Sequence, residues 1–216
     1  MNLPSLILLI LLILQTVEAK GAELVIDDYS MGIGAHWESK SFKGMTLYSI
    51  NEDGGRRCIR AQSRASASAL YYRLKFDPRE YPVIRWGWKI DGIISPGDAR
   101  KKKGDDYAAR VYVVFPSLFF RKTRALNYIG ANRLPRGEAV ANPFTANAIM
   151  IAVQSGNDHS GKWMEERRNI LDDFRRYFGS EPPEAGAIAI MTDTDNTGAE
   201  ASACYGPIKL AGGDGL

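Results

Sequence analysis

The sequence has 216 residues, enough for one domain with its own hydrophobic core. Lys and Arg number 28 against 25 Asp and Glu, a net charge of +3, and this mild balance excludes the concentrated basic excess of a dedicated nucleic-acid binder. The two histidines, His36 and His159, have no local zinc-ligand spacing, which excludes a zinc-finger-like scaffold.

Residues 1–19 read MNLPSLILLILLILQTVEA, in which Leu6 to Leu14 is an unbroken aliphatic run and the small-x-small triplet Val17-Glu18-Ala19 closes the segment. This is the pattern of a secretory signal peptide, so the mature chain is expected to begin at Lys20 and to form one domain over 20–216. The apolar run is shorter than the roughly 20 residues of a membrane span. A retained N-terminal anchor is the alternative, because no Lys or Arg precedes the run. No Cys stands at the cleavage point, so lipidation is not expected, and a periplasmic or secreted protein follows, with no transmembrane segment in its mature part. In an oxidising compartment Cys58 and Cys204 can form one disulfide closing a long loop; two separate buried thiols are the alternative.

Beyond residue 20, short apolar runs alternate with Gly, Pro, Asn and Asp, the pattern of an antiparallel β-protein. Strands are predicted at 24–26, 45–50 and 57–63, the last two joined by a hairpin turn at 51–55. Further strands follow at 69–76, closed by Asp77-Pro78, and at 83–90, then a loop at 95–104 and the strand 107–115. Residues 116–142 read as an elaborated loop region with a short strand near 126–129. Strands at 146–154, 187–192 and 199–210 complete the set. One segment breaks the pattern: in 163–178, Trp163, Arg167, Ile170, Leu171, Phe174 and Phe178 share one face at helical spacing, and Gly179 with Pro182-Pro183 ends the run. The expected fold is all-β, a two-sheet jelly-roll-like sandwich with one amphipathic helix late in the chain. The basic runs at 100–103 and 121–124 fall in loops and read as solvated charge.

Several motifs stand in series: GDDYAARVYVVF, NPFTANAIMIAVQSG, WMEERRNILDDFRRYFGSEPPEAGAIAIMTDTDNTG and the closing CYGPIKL. With them, residues 24–210 resemble the bacterial secreted proteins grouped as domain of unknown function 3047. The resemblance implies an extracytoplasmic protein and no established activity. Two departures stand out. The family tends to close with Tyr-Gly-Asp-Ile, where this chain has Pro207. A Trp commonly follows the Asn-Tyr motif, where Asn127-Tyr128-Ile129 is here followed by Gly130. A ligand that needs either missing side chain would be bound poorly.

In MTDTDNTGAE, Asp193, Asp195, Thr197 and Gly198 fall at the first, third, fifth and sixth places of a calcium loop. The twelfth place, which should be a bidentate Glu, is Cys204, and both flanks read as strands, so a helix-loop-helix site is excluded. A hairpin turn with Gly198 at positive φ is the favoured reading; calcium on Asp193, Asp195 and Asn196 is the alternative, and no other cofactor is expected.

Alternation sets Asp106, Ala108, Arg110 and Tyr112 on one face of the strand at 107–115, with Tyr107, Ala109, Val111, Val113 and Phe115 on the other. In VIRWGWKI, Arg85 and Lys89 likewise oppose Ile84, Trp86, Trp88 and Ile90. Were the two strands neighbours, Arg85, Asp106, Arg110 and Tyr112 would form one polar patch, either a ligand site or a solvated face of ordinary ion pairs. Trp86 and Trp88 share the apolar face and read as core; Tyr71, Tyr72, Tyr112 and Trp163 are better stacking platforms for a sugar.

No nucleophile elbow, phosphate loop or dinucleotide fingerprint is present; Asp105, Asp106, Glu165 and Glu166 are the carboxylates that could form a glycosidase pair. The leading expectation is a glycan- or envelope-binding sandwich without enzymatic activity. The alternatives are a polysaccharide hydrolase or lyase with Asp106 and Arg110 near its centre, and an envelope structural or assembly protein with no small ligand. A groove lined by Tyr and Arg favours the first, two carboxylates across a groove the second, and a flat apolar patch the third.

Overall fold

The computed structural model describes residues 23–34, 36–118 and 122–212; the expected signal segment and its cleavage point lie outside them. Thirteen strands and one α-helix are described, numbered along the chain. The first six strands are β1 (Glu23–Asp27), β2 (Trp37–Lys43), β3 (Leu47–Asp53), β4 (Arg56–Arg64), β5 (Ala67–Phe76) and β6 (Val83–Ile90). After them come β7 (Tyr107–Phe115), β8 (Arg124–Ala131), β9 (Ala139–Asn142), β10 (Thr145–Ser155) and β11 (Trp163–Asn169). The helix α1 (Ile170–Phe178), β12 (Ala185–Asp193) and β13 (Glu200–Ala211) complete the chain.

The strands form a two-sheet sandwich. One sheet runs β11-β6-β13-β4-β3, with β1 continuing the line of β4 along β13; the other runs β2-β5-β12-β7-β8-β10-β9. Ile84, Trp86, Trp88 and Ile90 alternate inward from β6 and meet Val111, Val113 and Phe115 of β7 in the core between the sheets. Trp86 and Trp88 are both buried, and Trp86 stacks on Tyr128 at 5.4 Å, so their bulk stabilises the core and is not offered to solvent. Gly54 and Gly55 make the β3–β4 turn with φ of 61° and 76°, the pair of positive angles a two-residue type I′ hairpin requires.

The structure corrects four elements. Residues 163–169 are strand β11, paired over its whole length with β6, and the helix is confined to 170–178. Seven cross-strand pairs outweigh the helical spacing of the side chains, and Asn169 sets the boundary: its backbone is extended and its side-chain oxygen accepts from the Asp172 N–H at 3.0 Å. Gly179 ends the helix in the left-handed conformation at φ 65°. Strand β8 is a full interior strand of eight residues, not a short one in a loop. It pairs in parallel with β10, because the connection through 132–144 is long enough to return the chain alongside and carries β9 back against β10. Strand β2, with only Trp37 buried, is an edge strand whose exposed polar residues lack the alternation that announces a strand.

Cys58 and Cys204 form a disulfide between neighbouring strands of the smaller sheet, with Cα atoms 5.6 Å apart and 146 residues separating them in sequence. No helix among the described residues is long and apolar enough to cross a membrane. Closing so long a loop restricts the unfolded chain. Replacing both cysteines by Ala is expected to lower the unfolding free energy by about 2–5 kcal/mol in urea titrations.

Candidate functional site

Four corrections concern the predicted polar patch. Strands β6 and β7 belong to different sheets, so Arg85 does not join Asp106, Arg110 and Tyr112. Within β7 the expected alternation fails at its start: Met191 pairs with Arg110 but Asp193 pairs with Tyr107, which leaves one extra residue in β7. That bulge puts Tyr107 on the same outer face as Arg110, with the guanidinium 4.3 Å from the Tyr107 ring centroid. The bulge also frees backbone groups that side chains then satisfy. Thr192 Oγ1 donates to the Ala108 carbonyl at 2.7 Å, and the Arg110 N–H donates to Tyr205 Oη at 3.2 Å. Tyr205, from β13 of the opposite sheet, donates in turn to the Met191 carbonyl at 2.6 Å, so the two sheets are stitched through this bulge.

Arg110 is 4% exposed, contrary to a ligand-facing role. Its Nε donates to Asp193 Oδ1 at 2.7 Å, its Nη2 bonds Asp193 Oδ2 and the Asp105 carbonyl, and its Nη1 donates to Tyr112 Oη at 3.2 Å. Burial opposes its charge, but Tyr112, Asp105, Tyr107 and Asp106 more than offset that, and its pKa stands above the ordinary value. Asp106, fully buried, is no ligand group either. Its carboxylate accepts from the backbone N–H and side-chain amide of Asn196, both at 3.1 Å, and from the N–H and hydroxyl of Thr197, both at 2.6 Å. Residues 194–198 are therefore a turn wrapped around Asp106, closed by Gly198 at φ 69° donating to the Thr194 carbonyl.

Asp106, Asp193 and Asp195 do place one carboxylate oxygen each within 4.8 Å of one another. These oxygens already have partners in the structure. Asp193 is engaged at both oxygens by Arg110, and Asp106 by Asn196 and Thr197, so metal binding would require breaking a buried ion pair. Asn196 donates its side-chain amide N–H to Asp106 at 3.1 Å. The four candidate acids are also dispersed. Asp105 and Asp106 lie behind β7, Glu165 is on the outer face of the smaller sheet, and Glu166 is buried, accepting from Gln154 of the other sheet at 2.7 Å.

What the structure brings together instead is a trough of 530 Å³ on the outer face of the larger sheet. In one cross-strand row, Ala189 of β12 pairs with Tyr71 of β5 on one side and Tyr112 of β7 on the other. Two strand spacings separate the rings by about 10 Å at the backbone. Ala69, Ala187, Ala189 and Met191 form the floor between them, and Lys40, Phe42 and Arg73 stand at the rim. Both tyrosines are held by their hydroxyls. Tyr71 bonds Glu38, whose oxygens also bind Arg73 Nε at 2.7 Å, and these bonds from Arg73 and Tyr71 hold the Glu38 carboxyl below the usual carboxylate range. Tyr112 accepts from Arg110 and donates to Met191 Sδ at 3.6 Å. Behind Tyr112, Asp105 Oδ1, Tyr107 Oη and Asn127 Oδ1 are buried without a hydrogen-bond partner among the described residues. Tyr72 points inward against Trp37 and is not a platform, whereas Trp163 lines a separate groove on the smaller sheet. Polar surroundings named Tyr71 and Tyr112 as platforms, along with Tyr72 and Trp163, but missed Glu38 and the alanines of β12; the Ala-x-Ala spacing of 187–189 was the available signal.

A family model described as a protein of unknown function (DUF3047) matches residues 35–209, and the chain belongs to this family. No curated protein matches. Among solved structures, the chain is similar to the K1 cleaved adhesin domain of Lys-gingipain from Porphyromonas gingivalis W83 at 13% identity and TM-score 0.43, covering 88% of this chain and 98% of that one. It is similar to a family 29 carbohydrate-binding module from Piromyces equi at 8% identity and TM-score 0.43, covering 89% and 91%. It is also similar to the glycoside hydrolase domain of Endo-D from Streptococcus pneumoniae R6 at 10% identity and TM-score 0.39, covering 81% of this chain but only 21% of that one. Likeness this distant carries no information on ligand or activity.

Two outcomes test the polar cluster. Arg110→Ala, which strands a buried Asp193, is expected to destabilise the fold by about 3–5 kcal/mol in urea titrations. A chelator is expected to leave the melting temperature unchanged, and a calcium-dependent rise lost in Asp195→Asn would show the turn to be a cation site.

Proposed function

We propose that this DUF3047 chain is an exported, non-enzymatic sandwich that binds a neutral glycan in the trough between Tyr71 and Tyr112. One observation carries the reading: Tyr71, Ala189 and Tyr112 stand in a single cross-strand row, two aromatic rings flanking a methyl-sized floor. A pyranose ring presents an apolar face of C–H groups and a rim of hydroxyls. The first suits a tyrosine wall, the second the ammonium and guanidinium of Lys40 and Arg73. Because both tyrosine hydroxyls are tied down, the walls are ordered before a ligand arrives, which lowers the entropic cost of binding. A polysaccharide hydrolase needs two carboxyl groups roughly 5–10 Å apart across its groove. The described lining of this trough has neither Asp nor Glu, so binding is preferred to hydrolysis. Export is supported by the aliphatic run and small-x-small triplet of residues 1–19 and by the Cys58–Cys204 disulfide, which persists in oxidising compartments.

Affinity electrophoresis against soluble neutral polysaccharides tests the reading. At least one should retard the protein, and Tyr71→Ala should weaken that retardation roughly tenfold, which corresponds to about 1.4 kcal/mol. Ala189→Leu, which fills the floor, should weaken it as much while leaving the melting temperature close to that of the parent. Retardation unchanged in both variants would remove the trough from consideration.

A further inference from the structure

The disulfide lies on the outer face of the smaller sheet, the side turned away from the core. Ile59 and Ala61 of β4, and Ala203 and Tyr205 of β13, belong to the core between the sheets. By strand alternation Cys58 and Cys204 point the other way. Both cysteines are nevertheless 0% exposed. An outward side chain with no exposure needs a cover made of other side chains.

The register identifies that cover. Lys89 of β6 stands directly opposite Cys204, and Asn51 of β3 directly opposite Cys58. The strand order is β6-β13-β4-β3, so β6 and β3 flank the two bridged strands. Lys89 and Asp53 reach toward each other from these flanks, and Lys89 Nζ donates to Asp53 Oδ2 at 2.7 Å. To meet, their side chains must cross the outer face of β13 and β4, where the two sulfurs lie. They are 23% and 24% exposed, so they form the surface layer over a fully buried bond. Asn51 closes one side, with its Nδ2 3.8 Å from Cys204 Sγ. Arg60, also opposite Cys204, is turned aside to Asp91 and to Ser202 Oγ at 3.0 Å.

We propose that the Lys89–Asp53 ion pair is a strap that shields the Cys58–Cys204 disulfide from thiol exchange, so that reduction waits on its opening. The exchange is a two-electron step. A thiolate of an external dithiol attacks one Sγ, forms a mixed disulfide and expels the other cysteine as a thiolate, which takes a proton from water. The second thiol of the reductant then closes on the first, releases the remaining cysteine and leaves as a cyclic disulfide. The rate depends on how readily the attacking sulfur reaches its target. A strap held by one part-exposed ion pair opens locally, without unfolding of the sheet. The inference rests on neither the trough nor its ligand, which lie on the other sheet.

The test is the rate at which dithiothreitol reduces the folded chain, with the freed thiols trapped by iodoacetamide and counted by mass spectrometry. Asp53→Ala and Lys89→Met should each speed reduction about threefold to fivefold, the factor set by one part-exposed ion pair. Glu23→Gln, which breaks the Lys209–Glu23 pair on the same face, should leave the rate as in the parent. The parent rate should change little with urea below the unfolding transition, the mark of a local opening. Unchanged rates in both strap variants overturn the proposal. So does acceleration in Asp53→Ala with slowing in Lys89→Met, because local charge acting on the incoming thiolate would then set the rate. A parent rate that climbs with urea as steeply as global unfolding also overturns it, since reduction would then run through the unfolded chain.

Discussion

The Arg110–Asp193 ion pair is the constraint from which the rest of the larger sheet takes its form. A guanidinium that is 4% exposed must have its donors met, and four of its five N–H groups are: two by Asp193, one by the Asp105 carbonyl, one by Tyr112. To deliver Asp193 and Asp105 to the same side, β7 takes one extra residue and β12 ends in a turn that wraps Asp106. The two unusual sequence stretches, Gly104–Arg110 and Met191–Gly198, are thus halves of one device, which explains why each looks like a site fragment when read alone. A pair of this kind adds little net stability over an apolar replacement, yet it fixes register, because a one-residue slip of β7 against β12 would separate the charges.

That device also marks where sequence reasoning stops. Alternation holds over Val111–Phe115 and correctly sends Val111, Val113 and Phe115 to the core. It fails between Tyr107 and Arg110, because a bulge adds a residue that no local pattern announces. Trp86 and Trp88 were legible as core since their neighbours Ile84 and Ile90 share their parity. The reach of Arg85 was not, because strand order is a long-range property: Arg85 meets Lys209, 124 positions away by numbering, and never meets β7. The helix shows the same limit. Its second half, with Asn169 before it and Gly179 after it, carries local capping signals, whereas β11 is strand only because β6 lies beside it.

The tyrosines of the trough illustrate how a site becomes partly readable. Tyr71 and Tyr112 stand out as aromatics among polar residues, and parity places Tyr72 and Tyr71 on opposite faces. What makes a trough of them is β12 running between β5 and β7 with alanine at the central positions, a fact of sheet order rather than of spacing. The order is enforced by the buried polar cluster, since Tyr112 is tied to Arg110 and Arg110 to the end of β12. Structure and candidate site are therefore coupled: the group that sets register also holds one wall of the trough.

The two outer faces then follow different physical logic. On the larger sheet, charge is withdrawn beneath the surface, neutralised by Asp193 and covered, and the exposed surface is aromatic and methyl-lined. On the smaller sheet, charged side chains stay at the surface in pairs, Lys209 with Glu23 and Arg56 with Glu165, whose carboxylate lies over Gly87. On the first face, larger side chains on β12 would bury more apolar area than its alanines do. The alanines of β12 forgo that burial where the trough opens, which fits the ligand proposed for that face, whereas the paired charges of the other face need no such explanation.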